Sequence, residues 1–459
     1  MNTNNKHYNE LSVFTPENLL REARRQKCIE NCQVSEVCVL DPEGDLVAYL
    51  IRTKQAVFNE CWACYHTKLY SVKHENDEFA VLGCVVGSSF AVLIAEQLFA
   101  SGCKTLISVT SAGIINPAKK RSKFVLIEQA LHDEGTSYHY ISPDETSNIH
   151  PYLSDSLMTY YRSTDLSIEL ASSWTTDAPY RETQTAIDEA RKQNIICVEM
   201  EAAALYAFAK AKNKDVICIA CLTNTMAQIE GDFEKGEEMG SLDTLQLIHH
   251  TLKAIRKKQS DHWDKIYATK QPNELSWTED VPETSLNFIR SFGLPKAAKI
   301  IDIGGGDSKL VDFLLDEGYE NITVLDISEK AIEKAKDRLG DKAQKVTWIV
   351  SDITAFQPVT HYDIWHDRAT FHFLTSAQQI ARYVDTARKH VKDYMIIGTF
   401  STNGPSKCSG LDIKQFDAQT LTTQFANGFS KLKCLTTDHI TPFNTQQNFL
   451  YCSFKRNLD

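Results

Sequence analysis

Runs of β-branched and apolar residues alternate with helical patterns from one end of this 459-residue chain to the other. That alternation argues for parallel sheets with helices packed on their faces. In the first half the strand patterns fall at 34–40, 79–86, 104–110, 123–128, 195–198 and 215–222, and the helical ones at 16–27, 88–101, 200–212 and 243–257. In the second half strands are expected at 298–303, 321–326, 345–350, 361–366 and 391–400, with helices at 308–317, 328–338 and 376–390. The polar run Lys257-Lys258-Gln259-Ser260-Asp261 closes the last helix of the first half, and an aromatic-rich start follows with Trp263, Tyr267 and Trp277. The join is placed near 258, giving domains 1–258 and 259–459, each long enough to bury its own core.

Charged residues make up 24% and hydrophobic ones 42%, which excludes disorder throughout and a fibrous repeat. The net charge of −11 disfavours non-specific binding to nucleic acid or to a membrane surface. The N-terminal residues are polar and lack the apolar core of a signal peptide, and no stretch of about eighteen apolar residues could span a membrane. Thirteen cysteines, many inside apolar strand patterns, read as free thiols in a reducing cytoplasm. Cys61, Cys64 and His66, with Cys218 and Cys221, tempt a zinc reading, but the second pair lies in a buried strand and no metal is expected.

In the second half, Lys299-Ile300-Ile301-Asp302-Ile303-Gly304-Gly305-Gly306-Asp307-Ser308 is a strand ending in a Gly-rich turn, where backbone can approach a ligand closely. It fails the dinucleotide fingerprint, because Lys309 stands at the last glycine position. The strand ends carry a series of acids: Asp302, then Asp326, then Asp352 followed by Ile353. In a doubly wound sheet these ends lie side by side along the ligand-binding edge. Asp326 suits a ribose diol, or else caps a helix in competition with Ser328. Asp352 suits an adenine amino group. His366, Asp367, Arg368 and His372 follow the fourth strand; His366 and Asp367 are the candidates to face the reacting group. Alternatively Asp367 and Arg368 form an ion pair that holds the loop, and His372 is a core histidine.

This series resembles the class I S-adenosylmethionine-dependent methyltransferases over about 262–455, with Ser308 in place of the third glycine of the family pattern. The resemblance implies a doubly wound Rossmann-like fold and S-adenosylmethionine bound by Asp302, Gly304, Gly306, Asp326, Asp352 and Ile353. It implies methyl transfer that needs proximity and electrostatics rather than a covalent group.

In the first half, Cys197-Val198-Glu199-Met200-Glu201-Ala202-Ala203-Ala204-Leu205-Tyr206 runs an apolar strand straight into an Ala-rich helix, with two acids at the crossing. Buried carboxylates need partners, and a helix N-terminus supplies amides and a favourable dipole. Both acids therefore cap the helix, or one of them faces a pocket and grips hydroxyls.

The run resembles the family of purine nucleoside phosphorylases, uridine phosphorylases and adenosylhomocysteine nucleosidases, over about 12–255. The resemblance implies an α/β domain in which Met200 and Glu201 contact a ribose and Glu199 is a support or a sugar contact. It also implies a pocket lined by Gly87, with Ser111 as the hydroxyl on the phosphate side, and with Tyr180 and Arg181 on the base side or else in the scaffold. Many purine-specific members carry an acid where Asn224 stands, and Asn cannot serve as a general acid. The arginines of phosphorolytic members are missing too, with Val47 and Ser108 in their places, while Asp41, Glu43 and Asp45 make the first turn repel an anion. Arg52, Lys54, Lys119, Lys120 and Arg121 are the neighbouring cations. The loop from Gln228 to Gly236 is a lid or a solvated loop.

The expected protein is a bifunctional cytoplasmic enzyme. One half methylates a small-molecule acceptor, and the other cleaves a nucleoside with Glu201 and Asn224 in its site, with water favoured over phosphate. A methyltransferase carrying a non-catalytic nucleoside-binding or oligomerisation module is the alternative, and a phosphorolytic enzyme another. The partners expected are a small-molecule nucleoside and methyl acceptor, neither nucleic acid nor membrane, and further copies of the chain through the N-terminal domain.

Overall fold

The computed structural model describes residues 6–8, 10–74, 77–116, 122–226 and 230–457. The chain divides into two compact units, 1–255 and 256–459.

The first unit is built on a ten-stranded mixed sheet. At its centre the strand Val37–Asp41 lies parallel to both Asp77–Gly83 and Thr105–Ile114. Thr105–Ile114 continues into parallel pairing with Asp215–Asn224 and antiparallel pairing with Cys197–Glu199. The long strands Phe124–Asp133 and Ile168–Thr176 run parallel to one another, and Phe124–Asp133 also pairs antiparallel with Asp215–Asn224, which curls the sheet on itself. Leu106, Ile107, Ile217 and Ile219 are fully buried, so these central strands read as near-continuous apolar runs. The helix Ala202–Lys212 is buried along its first eight residues, Ala202 to Ala209, which explains its Ala-rich sequence: small side chains let the backbone pack closely.

The second unit holds a seven-stranded sheet. Lys299–Ile303 lies at its centre, with Asn321–Asp326 and Val346–Val350 to one side and Tyr362–Arg368 and Val391–Phe400 to the other, all parallel. A hairpin of Phe429–Ile440 and Gln446–Arg456 completes the edge in antiparallel fashion. Strand order reverses beside Lys299–Ile303, and ligands bind in the crevice at such a switch point.

Two expectations are corrected. The helix of the join does not stop near 257 but runs from Ser241 to Thr269. Lys, Gln and Asp in the polar run are tolerated on a solvent face, and neither Gly nor Pro is present to end the helix. The cysteines are not all thiols: Cys32 bonds Cys61, and Cys434 bonds Cys452. Cys434 and Cys452 stand directly opposite on neighbouring antiparallel strands, a placement their spacing in the chain does not reveal. The other nine are in no disulfide. Among the described residues, no helix is long and apolar enough to cross a membrane.

Candidate functional site

In the first unit, Glu199 and Glu201 divide the work at the strand-to-helix crossing. Glu199, the last residue of its strand, is buried and accepts from Ser173 Oγ at 3.1 Å, from the Thr175 hydroxyl, and from the amides of Glu201 and Ala202 at 2.7 Å each. The first helical amides are therefore satisfied from the strand, and Glu199 is a support. That releases Glu201, whose Oε1 accepts the Gly87 amide at 2.8 Å. Its Oε2 makes no well-formed hydrogen bond among the described residues, with the Thr110 hydroxyl a weak neighbour. Burial, and then the adjacent Glu199 carboxylate, push the Glu201 pKa up to about 8. Gly87 adopts φ +92°, which opens the turn before the helix Ser88–Ala100, and Ser88 Oγ donates to the Met200 carbonyl at 2.8 Å.

Beside this crossing, the turn after Val37–Asp41 meets the strand Thr105–Ile114 in a cavity lined by Asp41, Glu43, Asp45, Thr110, Ser111 and Lys235. The Ser111 amide donates to Glu43 Oε1 at 2.8 Å. Asp41 accepts the Val47 amide at 3.0 Å, and burial raises its pKa to about 7. Lys235 enters the cavity but is ion-paired with Asp45, and Arg52 is ion-paired with Glu238. Lys119, Lys120 and Arg121 lie outside the described residues, as does the start of the acidic loop, 227–229.

The remaining first-half candidates are not gathered at this cavity. Asn224 closes an Asx turn, its Oδ1 accepting the Met226 amide at 2.9 Å and its Nδ2 donating to Thr223 Oγ1 at 3.1 Å. Tyr180 is 98% exposed on the short turn Pro179–Arg181, and Arg181 is exposed beside it.

In the second unit the three acids stand at the carboxyl edge of the sheet. Gly304 and Gly306 both have positive φ, and the turn they form leaves no room for side chains. A Cβ at 304 would lie 1.7 Å from Thr370 Oγ1, one at 305 would lie 2.6 Å from Asp302 Oδ2, and one at 306 would lie 2.7 Å from Asp326 Oδ2. Asp326 is not the helix cap: Ser328 fills that role for Glu329–Leu339, and Asp326 Oδ1 accepts the Ser328 amide at 2.8 Å. Burial, with the Asp302 and Asp264 carboxylates nearby, raises the Asp326 pKa to about 7. Asp352 Oδ1 accepts from the Thr354 amide at 2.7 Å, while the Ile353 side chain packs into the core. A side-chain-free glycine turn flanked by carboxylates on successive strand ends fits an adenosyl cofactor with a ribose diol.

His366 and Asp367 do not reach an open surface, which corrects the expectation that they face the reacting group. His366 is held between Asp302 Oδ1 at 2.7 Å and Ser285 Oγ at 2.9 Å. Asp367 is fully buried and accepts the Thr370 and Phe371 amides at 3.1 Å each and the Tyr383 hydroxyl at 2.8 Å. Arg368 pairs instead with Glu279 at 3.1 Å and donates to Tyr451 and to the Trp277 carbonyl. His372 is fully buried, stacked on Phe400, and burial lowers its pKa to about 3. These are positioning and core groups. Sequence reasoning missed Thr370, Ser285 and Glu279; only the register of neighbouring strands and the helix Glu283–Ser291 brings them in.

Residues 38–252 match the family described as "Phosphorylase superfamily", and residues 301–394 match "Methyltransferase domain". An uncharacterized protein of Acanthamoeba polyphaga mimivirus is 30% identical over 189 residues, 41% of this chain and 71% of that protein. The eEF1A lysine and N-terminal methyltransferase of Mus musculus is 27% identical over 142 residues, and the match spans 30% of this chain but only 20% of that protein. The guanosine phosphorylase of Halorubrum lacusprofundi is 21% identical over 179 residues, 38% of this chain and 69% of that protein. A solved uridine phosphorylase from Vibrio fischeri is 19% identical, with a TM-score of 0.43, over 50% of this chain and 95% of the other. Residues 38–252 thus carry a phosphorylase-superfamily domain, and residues 301–394 a methyltransferase domain.

Proposed function

We propose that the protein is bifunctional: its second unit transfers a methyl group from S-adenosylmethionine to a small-molecule acceptor, and its first unit cleaves the glycosidic bond of a nucleoside with water. The observation that carries the choice of water is the hydrogen bond from the Ser111 amide to Glu43. A phosphate dianion needs cations or convergent amides. Here the amide is already held by a carboxylate, and Lys235 is neutralised by Asp45. Glu201 offers Oε2 to the sugar hydroxyls, with Glu199 fixing the backbone from which it projects. When bound, the sulfonium cofactor supplies an electrophilic methyl group. Asp326 takes its ribose, Asp352 and the Ile353 backbone its adenine, and the glycine turn admits its chain.

The two activities share a chemical logic, because methyl transfer leaves S-adenosylhomocysteine, a nucleoside thioether that the first unit could remove. The commitment of Asn224 to its own turn favours a second reading, in which the first unit binds nucleosides without cleaving them. Incubation with S-adenosylhomocysteine, methylthioadenosine or uridine, with and without phosphate, decides between them. Free base with the unphosphorylated sugar (S-ribosylhomocysteine, methylthioribose or ribose, according to the substrate) supports hydrolysis, the corresponding sugar 1-phosphate overturns it, and binding without base release supports the second reading. We propose further that the first unit associates with a second copy, which would cover the exposed Tyr180. Sedimentation as a monomer would refute that.

A further inference from the structure

We infer that Tyr267 is a cofactor-binding residue, its hydroxyl donating to the ribose that Asp326 accepts from; this rests on the reading of Asp326 given above. Tyr267 lies on the final turns of the helix Ser241–Thr269, outside the sheet edge that supplies the three acids. It is buried, and the space over Gly306 is walled by two polar groups. A Cβ built there would meet Asp326 Oδ2 at 2.7 Å and Tyr267 Oη at 3.2 Å, with Ala331 Cβ at 3.3 Å. A ligand that passes over Gly306 therefore meets a carboxylate and a phenol together.

The surroundings fix what the phenol can do. The Trp277 indole is a close neighbour of the Tyr267 hydroxyl, and an indole N–H only donates, so the phenol proton is left to point elsewhere. Burial, and then the Asp326 charge, raise the Tyr267 pKa, so the group stays a neutral donor. Its placement is also built. Asp264, three residues earlier, accepts from Ser328 Oγ at 2.6 Å and from the Lys330 amide at 3.1 Å. That clasps the helix end onto the N-terminus of the helix that follows Asp326. Trp263 and Trp277 meet edge to face at 5.9 Å, and Tyr267 and Trp277 at 6.2 Å, giving the hydroxyl an aromatic backing. A ribose diol has two hydroxyls that both donate and accept. A carboxylate satisfies only their protons, and a phenol proton satisfies an oxygen lone pair that Asp326 cannot.

The test is calorimetric titration of the full chain with S-adenosylhomocysteine and with analogues lacking either ribose hydroxyl. Tyr267→Phe should weaken the parent ligand roughly three- to tenfold, the range of one neutral hydrogen bond, and should shrink the preference for it over one of the analogues by a similar factor. Trp277→Phe keeps the phenol but removes the indole N–H beside it, and should weaken binding in the same direction by less. Wild-type affinities for all ligands in Tyr267→Phe, alongside weakened binding in Asp326→Asn, would overturn the role of Tyr267 alone. Unchanged binding in Asp326→Asn would overturn the ribose reading beneath it. Cooperative melting of Tyr267→Phe at the wild-type temperature separates a lost contact from a lost fold.

Discussion

The Glu43 carboxylate accepts the Ser111 amide proton at 2.8 Å, joining two segments that lie far apart in sequence. An anion is thus supplied by the chain itself within the strand Thr105–Ile114, at the residue that the resemblance to phosphorylases gives to the phosphate side. Nucleoside cleavage should accordingly proceed at the same rate with and without phosphate, and release the sugar unphosphorylated. Titration of the protein with inorganic phosphate should give no heat attributable to this cavity. A sugar 1-phosphate forming in proportion to added phosphate would show that the site can be rebuilt around an anion.

Glu201 should make stability depend on pH. A buried acid whose folded pKa of about 8 exceeds its ordinary 4.5 binds more protons in the folded chain than in the unfolded one. Its contribution is fully present below about pH 4.5 and is lost as the pH rises through about 8. Glu201→Gln keeps an acceptor for Gly87 and cannot ionise. The variant should melt close to wild type near pH 5 and above it near pH 9, with a gap on the order of a few kcal/mol. Parallel melting curves across that range would mean Glu201 titrates normally.

Asp326→Ala removes a charged acceptor from a ribose diol. The penalty for such charge-assisted bonds is about 1.5–3 kcal/mol, or roughly ten- to a hundredfold in Kd for the adenosyl cofactor. Unchanged cofactor affinity by calorimetry would remove Asp326 from the site.

Residues 259–459 should fold alone and bind the cofactor. All seven strands of the second sheet lie within that span, and the cut leaves Asp264 and Tyr267 on the helix remnant. A fragment that fails to melt cooperatively, while the full chain does, would show that the removed helical turns belong to its core.

The parallel strands and their acids were legible because period and strand-end chemistry are local. The split between Glu199 and Glu201 was not. It depends on Thr175 standing in register with Glu199 on the neighbouring strand, so that the earlier acid points at hydroxyls and the later one at Gly87. The Glu43–Ser111 bond was hidden for the same reason, although the acidity of that turn was plain. His366 and Asp367 were misjudged because a strand end tells which edge a residue occupies and not how many donors already face it. The disulfide between Cys434 and Cys452 follows from a hairpin that the apolar pattern did not announce.

Asp367 offers the sharpest separation of positioning from catalysis. Trp365 Nε1 donates to the Tyr383 hydroxyl at 2.9 Å, and that hydroxyl donates to Asp367 Oδ2 at 2.8 Å. On the other side Oδ1 gathers the Thr370 and Phe371 amides, shaping the turn Phe371–Phe373 after the strand. Burial raises the Asp367 pKa to about 7, so its stabilisation, like that of Glu201, is lost as the pH rises through neutrality. Asp367→Asn keeps an acceptor oxygen, for the hydroxyl or for the amides, and should melt within about 1 kcal/mol of wild type at pH 7. Asp367→Ala strands three buried donors and should cost on the order of 2–4 kcal/mol, with cofactor affinity falling only as the turn loosens. If Asp367→Asn melted like wild type and bound cofactor normally, yet lost methyl transfer by a hundredfold or more, the carboxylate would be part of the chemistry and the positioning role would be wrong.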